Sequence, residues 1–339
     1  MARFRHFAVW AAAILILAPL AAAQTYRITD LGTFPGGDLS QGQAINGRGQ
    51  IAGYAQFKNG DDHAFFWDQR IGLRNLPAIP PQGHFAFAQA INALGLVVGY
   101  STYDELENEH AVLWGGGNLL DLGALPGGTL SEATGINDAG EVTGFSNSGD
   151  SEPHAFLWSR AHGMQDLGTL PGGYYSQGLA INVKGEVAGY SNDARGNWFG
   201  FVWSKSKGMV PLASPAGAAA DESANAINDL GQVVGGAAFL NGNFAALWDP
   251  ANAIENLGAL PDAGWSSAFA INNLGQIVGW SGFLAFFWSP TTGMLDLNRL
   301  IPLDSGWSLT AAYGINDRGQ ITGQGTVNGE SHGFLLTPD

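Results

Sequence analysis

The chain contains no cysteine. That absence excludes disulfides, thiol redox chemistry and cysteine-ligated metal centres. Charge is also scarce: Asp, Glu, Lys and Arg make up 13% of the 339 residues, with 14 basic residues against 29 acidic. A chain so short of basic residues is poorly matched to nucleic acid or an anionic membrane, where basic patches supply the affinity. After Leu20 no apolar run approaches the ~20 residues that a membrane span needs. There is no strand-elbow nucleophile motif and no metalloprotease helix motif. The glycine-rich segments precede strands, which removes the helix N-terminus that a phosphate loop uses. The sequence gives no motif for a cofactor or a metal ion.

What is present begins with an export signal. Arg3 and Arg5 give a positive start, residues 7–20 are apolar and uncharged, and Ala21 and Ala23 supply a small-residue cleavage site. The expected mature chain runs from Gln24 to Asp339, 316 residues with a formal charge of −17, outside the cytoplasm and with no membrane insertion after cleavage. Nothing points to an oligomer, and a monomer is expected.

Nearly all of this chain is repeats. Ile-Asn-x-x-Gly, followed by a β-branched residue and a second glycine, recurs at Asn46, Asn92, Asn137, Asn182, Asn228, Asn272 and Asn316, with spacings of 46, 45, 45, 46, 44 and 44 residues. A fixed period of this size marks stacked supersecondary units. In the third copy, residues 131–136 alternate small and larger side chains, Asn137 opens a turn, and residues 141–146, 154–158 and 164–168 give three further strands. Asn opens the turn because its side chain can bond the backbone two residues on. The glycine three residues later can take the positive φ of a turn that closes through a bulge.

Four short antiparallel strands per copy, in seven copies, predict a seven-bladed β-propeller occupying residues 24–339. The strand ahead of each turn is small at alternate positions, for example Ala88 and Ala90, or Ala133 and Gly135. Such a pair is expected to share one face at the crowded axis. The copies are out of phase with the ends. Residues 25–32 form a lone fourth strand, and the last copy stops after its third. The N-terminal strand is therefore expected to complete the last blade and close the ring, which protects both edges.

Three segments carry a resemblance. "HAFLW" at residues 154–158, "DLGTLPGG" at 166–173 and "AINNLGQIVGWS" at 270–281 resemble the extracellular HAF repeat family of bacterial proteins. The resemblance covers residues 25–336 and implies a secreted repeat protein; it transfers no catalytic residue. His is replaced by Phe199, Phe244 and Leu284 in three copies, so no role can need one His per blade.

In a meander ring, alternate connections share a face. The Asn-x-x-Gly turns are nearly constant, whereas the loops on the opposite face vary, and variable loops on a rigid scaffold are where function concentrates. Phe85, Tyr174, Tyr175, Trp265 and Trp307 lie on that loop face just ahead of inner strands. Aromatic rings suit stacking on sugars, which makes a glycan or surface ligand the candidate partner; packing between blades is the competing role. Acidic residues gather there too: Asp61, Asp62, Asp104, Glu105, Glu107, Glu109, Asp150, Glu152 and Asp193. They match no calcium spacing and read as solvated loops. Four of the histidines, His63, His110, His154 and His332, recur at one repeat position and read as structural. Two carboxylates break the repeat near the axis, Glu132 and Glu222, with Asp221 and Asp262 nearby. As an acid and base pair they would make the alternative, a polysaccharide hydrolase or lyase.

Overall fold

The computed structural model describes residues 25–106, 108–149, 152–218 and 220–339; the expected export signal, Glu107 and Asp150 lie outside the described residues. The repeats fold into seven four-stranded antiparallel sheets. These blades, numbered here in chain order, have the inner strands Ser40–Ile45, Ala86–Ile91, Ser131–Ile136, Ser176–Ile181, Glu222–Ile227, Ser266–Ile271 and Trp307–Ile315. Each inner strand packs on the next, and that of blade 7 packs on that of blade 1, so the ring is closed.

Closure uses both chain ends, as the phasing predicts. Tyr26–Asp30 is the outer strand of blade 7, antiparallel to Glu330–Pro338, with Tyr26 opposite Pro338 and Asp30 opposite Phe334. The Tyr26 side chain is buried with Leu300, Leu309 and Phe334. Asp30 receives His332 Nδ1 at 2.9 Å, and Asp339 N–H donates to Thr25 O at 3.0 Å.

The inner strands depart from simple alternation. Every one carries a bulge, at Gln43, Gln89, Thr134, Leu179, Asn225, Phe269 and Tyr313. An extra residue reverses the facing of the residues beyond it, so the two small positions do not share one face. A Cβ at Gly178 would strike Thr143 in the preceding blade, whereas one at Gly135 would meet the Ala180 backbone in the following blade. Small residues on both flanks let each inner strand approach both neighbours, and the bulged residue is left to line the central channel.

The bulge also explains the second glycine of the motif. A Cβ at Gly144 would overlap Glu132 O, and the same clash with an inner-strand carbonyl recurs at Gly53, Gly99, Gly189, Gly235, Gly279 and Gly323. We expect Gly144→Ala to destabilise the protein by ~3 kcal/mol or more, since backbone must move. A urea midpoint within error of wild type would contradict this.

The most constant residue forms a second ring. Asn46 Nδ2 donates to Asn92 O at 3.0 Å, and the pattern continues through Asn92, Asn137, Asn182, Asn228 and Asn272 until Asn316 Nδ2 donates to Asn46 O at 2.9 Å. Each Asn Oδ1 accepts the backbone N–H groups two and four residues on, as in Asn137 with Ala139 and Glu141. Sequence reasoning placed Asn at a turn; its lateral bond to the next blade had no local signature. All seven are buried. The turns that carry these residues are thus joined into one closed ring of side-chain hydrogen bonds.

Blade seams carry apolar clusters and repeated serines. Ser131 Oγ accepts Ala111 N–H at 2.8 Å and donates to Gly123 O at 2.6 Å, tying blade 3 to blade 2. Ser176 and Ser266 repeat both bonds at their own seams. The repeat tryptophans close the seams, with Trp114 Nε1 on Pro77 O and Trp248 Nε1 on Ala213 O, both at 2.8 Å.

Candidate functional site

Two cavities carry the polar and aromatic groups of interest. The central channel, of about 590 Å³, is lined by the bulged residues together with Glu132, Phe145 and Gln177. Five blades carry an aromatic residue at one position of the second strand, eight residues after the repeat Asn: Tyr54, Tyr100, Phe145, Tyr190 and Trp280, of which Phe145 lines the channel. These residues stand opposite the inner-strand residues Gln41, Phe87, Glu132, Gln177 and Ser267. Phe87 stacks on Tyr100 at 5.0 Å and meets Tyr54 edge-on at 5.0 Å; Tyr190 OH donates to Gln177 Oε1 at 2.7 Å. Sequence reasoning missed this set, although five aromatics at one repeat offset were a readable signal.

Glu132 is the exceptional group in the channel. Burial raises its pKa to about 8, and the neighbouring Glu109 carboxyl, which hydrogen-bonds to it, adds to the shift. The pair therefore holds a proton at neutral pH. Unfolded, Glu132 would ionise near the ordinary glutamate value of 4.5, so between there and about 8 the folded chain binds more protons. Stability must fall as pH rises through that window. Glu132→Gln should flatten the decline, leaving the variant more stable than wild type near pH 8 by on the order of a few kcal/mol. Parallel pH profiles in urea melts would contradict this.

The second cavity is a cleft of about 510 Å³ on the loop face, across blades 4, 5 and 6, lined by Tyr190, Trp198, Asp221, Glu222, Asn243, Trp265 and Trp280 among others. Its walls are aromatic. Trp265 meets Trp280 edge-on with ring centres 4.6 Å apart, and Trp198 meets Tyr190 edge-on at 5.7 Å. Glu222 is 3% exposed, and neither carboxyl oxygen has a hydrogen-bond partner. Burial raises its pKa; Ser214 and the Asp221 N–H oppose the shift without reaching hydrogen-bond geometry. Trp280 Nε1 is likewise buried and unpartnered.

The residues proposed from sequence are dispersed. Of the five aromatics, only Trp265 lines the cleft. Tyr175 supports it from behind, 5.3 Å from Trp198 and 6.2 Å from Tyr190. Tyr174 is exposed, and Phe85 is half-buried. Trp307 does not precede its inner strand but begins it, because that strand is lengthened, and it packs 6.2 Å from Phe334. Glu132 and Glu222 line different cavities, and the carboxyl that Glu132 meets is Glu109. Asp221 lines the cleft, whereas Asp262 sits at a turn with φ 66°.

The histidines clasp third strands to outer strands. His110 Nδ1 lies 3.0 Å from Asp121, His154 Nδ1 3.0 Å from Asp166, and His63 Nδ1 3.1 Å from Asn75 Oδ1. Burial alone would raise the Asp121 pKa, but the His110 hydrogen bond and the Gly123 N–H outweigh it and hold the carboxyl below its usual range. The acidic loops bond to themselves: Asp104 Oδ1 accepts Leu106 and Asn108 N–H, and Asp193 Oδ1 accepts Arg195 and Asn197 N–H. Among the described residues, no group of three or more His, Asp or Glu side chains could hold a metal ion, and no helix is long and apolar enough to cross a membrane.

No family model matches the sequence. No curated protein matches it. Among solved structures, the chain is similar to a streptogramin B lyase, with TM-score 0.54 and 11% identity over 93% of this chain and 98% of that one. It is similar to the β-propeller domain of the trilobed protease from Pyrococcus furiosus, described as having an open velcro topology, with TM-score 0.51 and 12% identity over 75% of this chain and 80% of that one. A structure of the mitotic checkpoint complex contains a similar chain, with TM-score 0.51 and 13% identity over 99% of both. At such identities the likeness extends to the fold, which is the β-propeller.

Proposed function

We propose that this protein is a secreted bacterial binding module of the HAF repeat type, and that it holds a saccharide in the loop-face cleft of blades 4 to 6. The observation that carries the reading is the convergence of Trp198, Trp265, Trp280 and Tyr190 with Asp221 and Asn243 in the lining of one cleft. Sugar rings present flat C–H faces and many hydroxyls. Indole faces cover the former, while the Asp221 carboxylate and the Asn243 amide bond the latter. Export rests on the N-terminal pattern of residues 1–23; a mature chain starting at Gln24 in the periplasm or medium is the expected product.

A glycan panel tests the reading. Trp265→Ala should weaken binding about tenfold, the loss of ~1.4 kcal/mol expected from one stacking face, with little change in melting temperature. Absence of binding across neutral, acidic and basic glycans would overturn it.

The proton-sharing Glu132 and Glu109 favour a second reading, a polysaccharide-processing enzyme with its acid in the channel mouth. Reducing-sugar release that disappears in Glu132→Gln would establish it; no release on a broad polysaccharide panel would dismiss it.

A further inference from the structure

The face opposite the cleft, built from the Asn-x-x-Gly turns, carries a cavity of its own. It has a volume of about 550 Å³ and lies between blades 7 and 1, where the ring closes. Three arginines line it: Arg318 from blade 7, and Arg48 and Arg70 from blade 1. All three are exposed. Arg318 Nη2 reaches over the turn of blade 1, 3.1 Å from where a Cβ on Gly49 would stand. Among the described residues the only arginine ion pair is that of Arg299 with Asp296, so no carboxylate neutralises these three guanidiniums. The one acid in the lining, Asp68, is engaged elsewhere: its oxygens accept the backbone N–H of Arg70 at 2.9 Å and Gln50 Nε2 at 3.3 Å.

The repeat shows that the fold does not require this imbalance. The residue four places after the repeat Asn accepts that Asn's Nδ2. In blades 3 and 4 it is a glutamate, Glu141 and Glu186, each at 2.8 Å. In blades 7 and 1 it is Gln320 and Gln50, which make the same bond at 3.0 and 2.9 Å. Either residue therefore serves the turn, but only the carboxylate would offset a neighbouring cation. The corresponding cavity between blades 4 and 5 has that offset, since Lys184 and Lys207 share its lining with Glu186 and Asp249. Positive charge is balanced at one seam and left uncompensated at the other, in a chain whose formal charge is −15.

We infer that the cavity between blades 7 and 1 is a binding site for a compact multivalent oxyanion, a polycarboxylate or a phosphate, held by the guanidinium forks of Arg48, Arg70 and Arg318. Each fork presents paired N–H donors that match two oxygens of a carboxylate or phosphate. Three forks from two blades suit a ligand with more than one anionic group. The lining contains no aromatic residue, so the site recognises charge and not a ring face. The net charge of the chain repels anions at long range, and affinity for one has to come from this local cluster. The site shares no residue with the loop-face cleft and stands whether or not that cleft takes a saccharide.

The test is calorimetric titration of the full chain, near neutral pH and at low salt, with citrate and with inorganic pyrophosphate, and with acetate as the monovalent control. Wild type should bind citrate or pyrophosphate about tenfold or more tighter than acetate. The better of the two identifies the source: citrate a polycarboxylate, pyrophosphate a phosphate. Arg318→Ala and Gln320→Glu should each weaken that binding about tenfold or more. Gln320→Glu keeps an oxygen for Asn316 Nδ2, as Glu141 and Glu186 do in their blades, and supplies the missing counter-charge. Neither variant should move the melting temperature much, which separates loss of the site from loss of the fold. Arg160→Ala removes the same charge from an exposed turn of blade 3, outside the cavity, and should leave the affinity as it is. Binding of both anions no tighter than acetate, binding that survives both cavity variants, or an equal loss in Arg160→Ala would overturn the site.

Discussion

A chain lacking residues 25–32 should melt ~7 °C or more below the chain that begins at Gln24, or fail to fold. The deletion removes Tyr26 and Leu31, which are buried, and Ile28, which packs against the same cluster as Tyr26. Each such side chain contributes about 1.5–3 kcal/mol, so on the order of 5 kcal/mol is at stake, a large part of the 5–15 kcal/mol typical of a domain. In a domain of this size each kcal/mol moves the midpoint by ~1.5 °C. The cut also bares Glu330–Pro338 as an unpaired edge, which invites association. Differential scanning calorimetry with light scattering reads both effects; an unaltered melt would show that the ring does not need its latch.

Asn228→Asp should lower stability by roughly 2–4 kcal/mol at neutral pH, the range for breaking a buried hydrogen-bonded site. Aspartate is nearly isosteric and keeps an oxygen for the N–H groups of Leu230 and Gln232. It loses the donor to Asn272 O and sets an anionic oxygen against that carbonyl and against Gln232 Oε1. Protonation would restore a donor, so the new carboxyl has a raised pKa in the folded state. Its stabilising form is present at low pH and lost as pH rises through that value. The variant should therefore approach wild type in acid and diverge above neutrality. A deficit below ~0.5 kcal/mol at pH 7 would reduce the ring to ornament on an ordinary turn.

The contrast between Asn228 and Glu222 shows what a sequence discloses. Repeat length, strand count and the phasing of residues 25–32 declared the closed ring, because those features are periodic and periodicity is visible along a line. The positive φ at Gly140, 78°, was likewise legible from local turn chemistry. The bulge at Thr134 was not, since a single extra residue leaves the hydrophobic pattern almost unchanged while it reverses facing. The lateral bond from Asn137 to Asn182 O spans 45 residues and had no local trace. Site residues fared unevenly for the same reason. Glu222 was singled out because it breaks the repeat and Trp265 because it lies just ahead of an inner strand, yet their grouping with Trp198 and Trp280 depends on how three blades meet. Glu109 looked like one more loop acid until blade packing set it against Glu132.

The absence of cysteine makes the central claim open to one clean measurement. Arg27 and Thr337 face each other across the seam where the two chain ends pair. Opposed Cα atoms in such a pair lie about 5.5 Å apart, within disulfide range. In the double variant Arg27→Cys, Thr337→Cys, mild oxidation should yield one intramolecular bridge, detected as a monomeric species with both thiols consumed and a single peptide linking the two termini. Thiols that stay free in the folded protein, or that join only between molecules, would contradict a ring closed by its own ends.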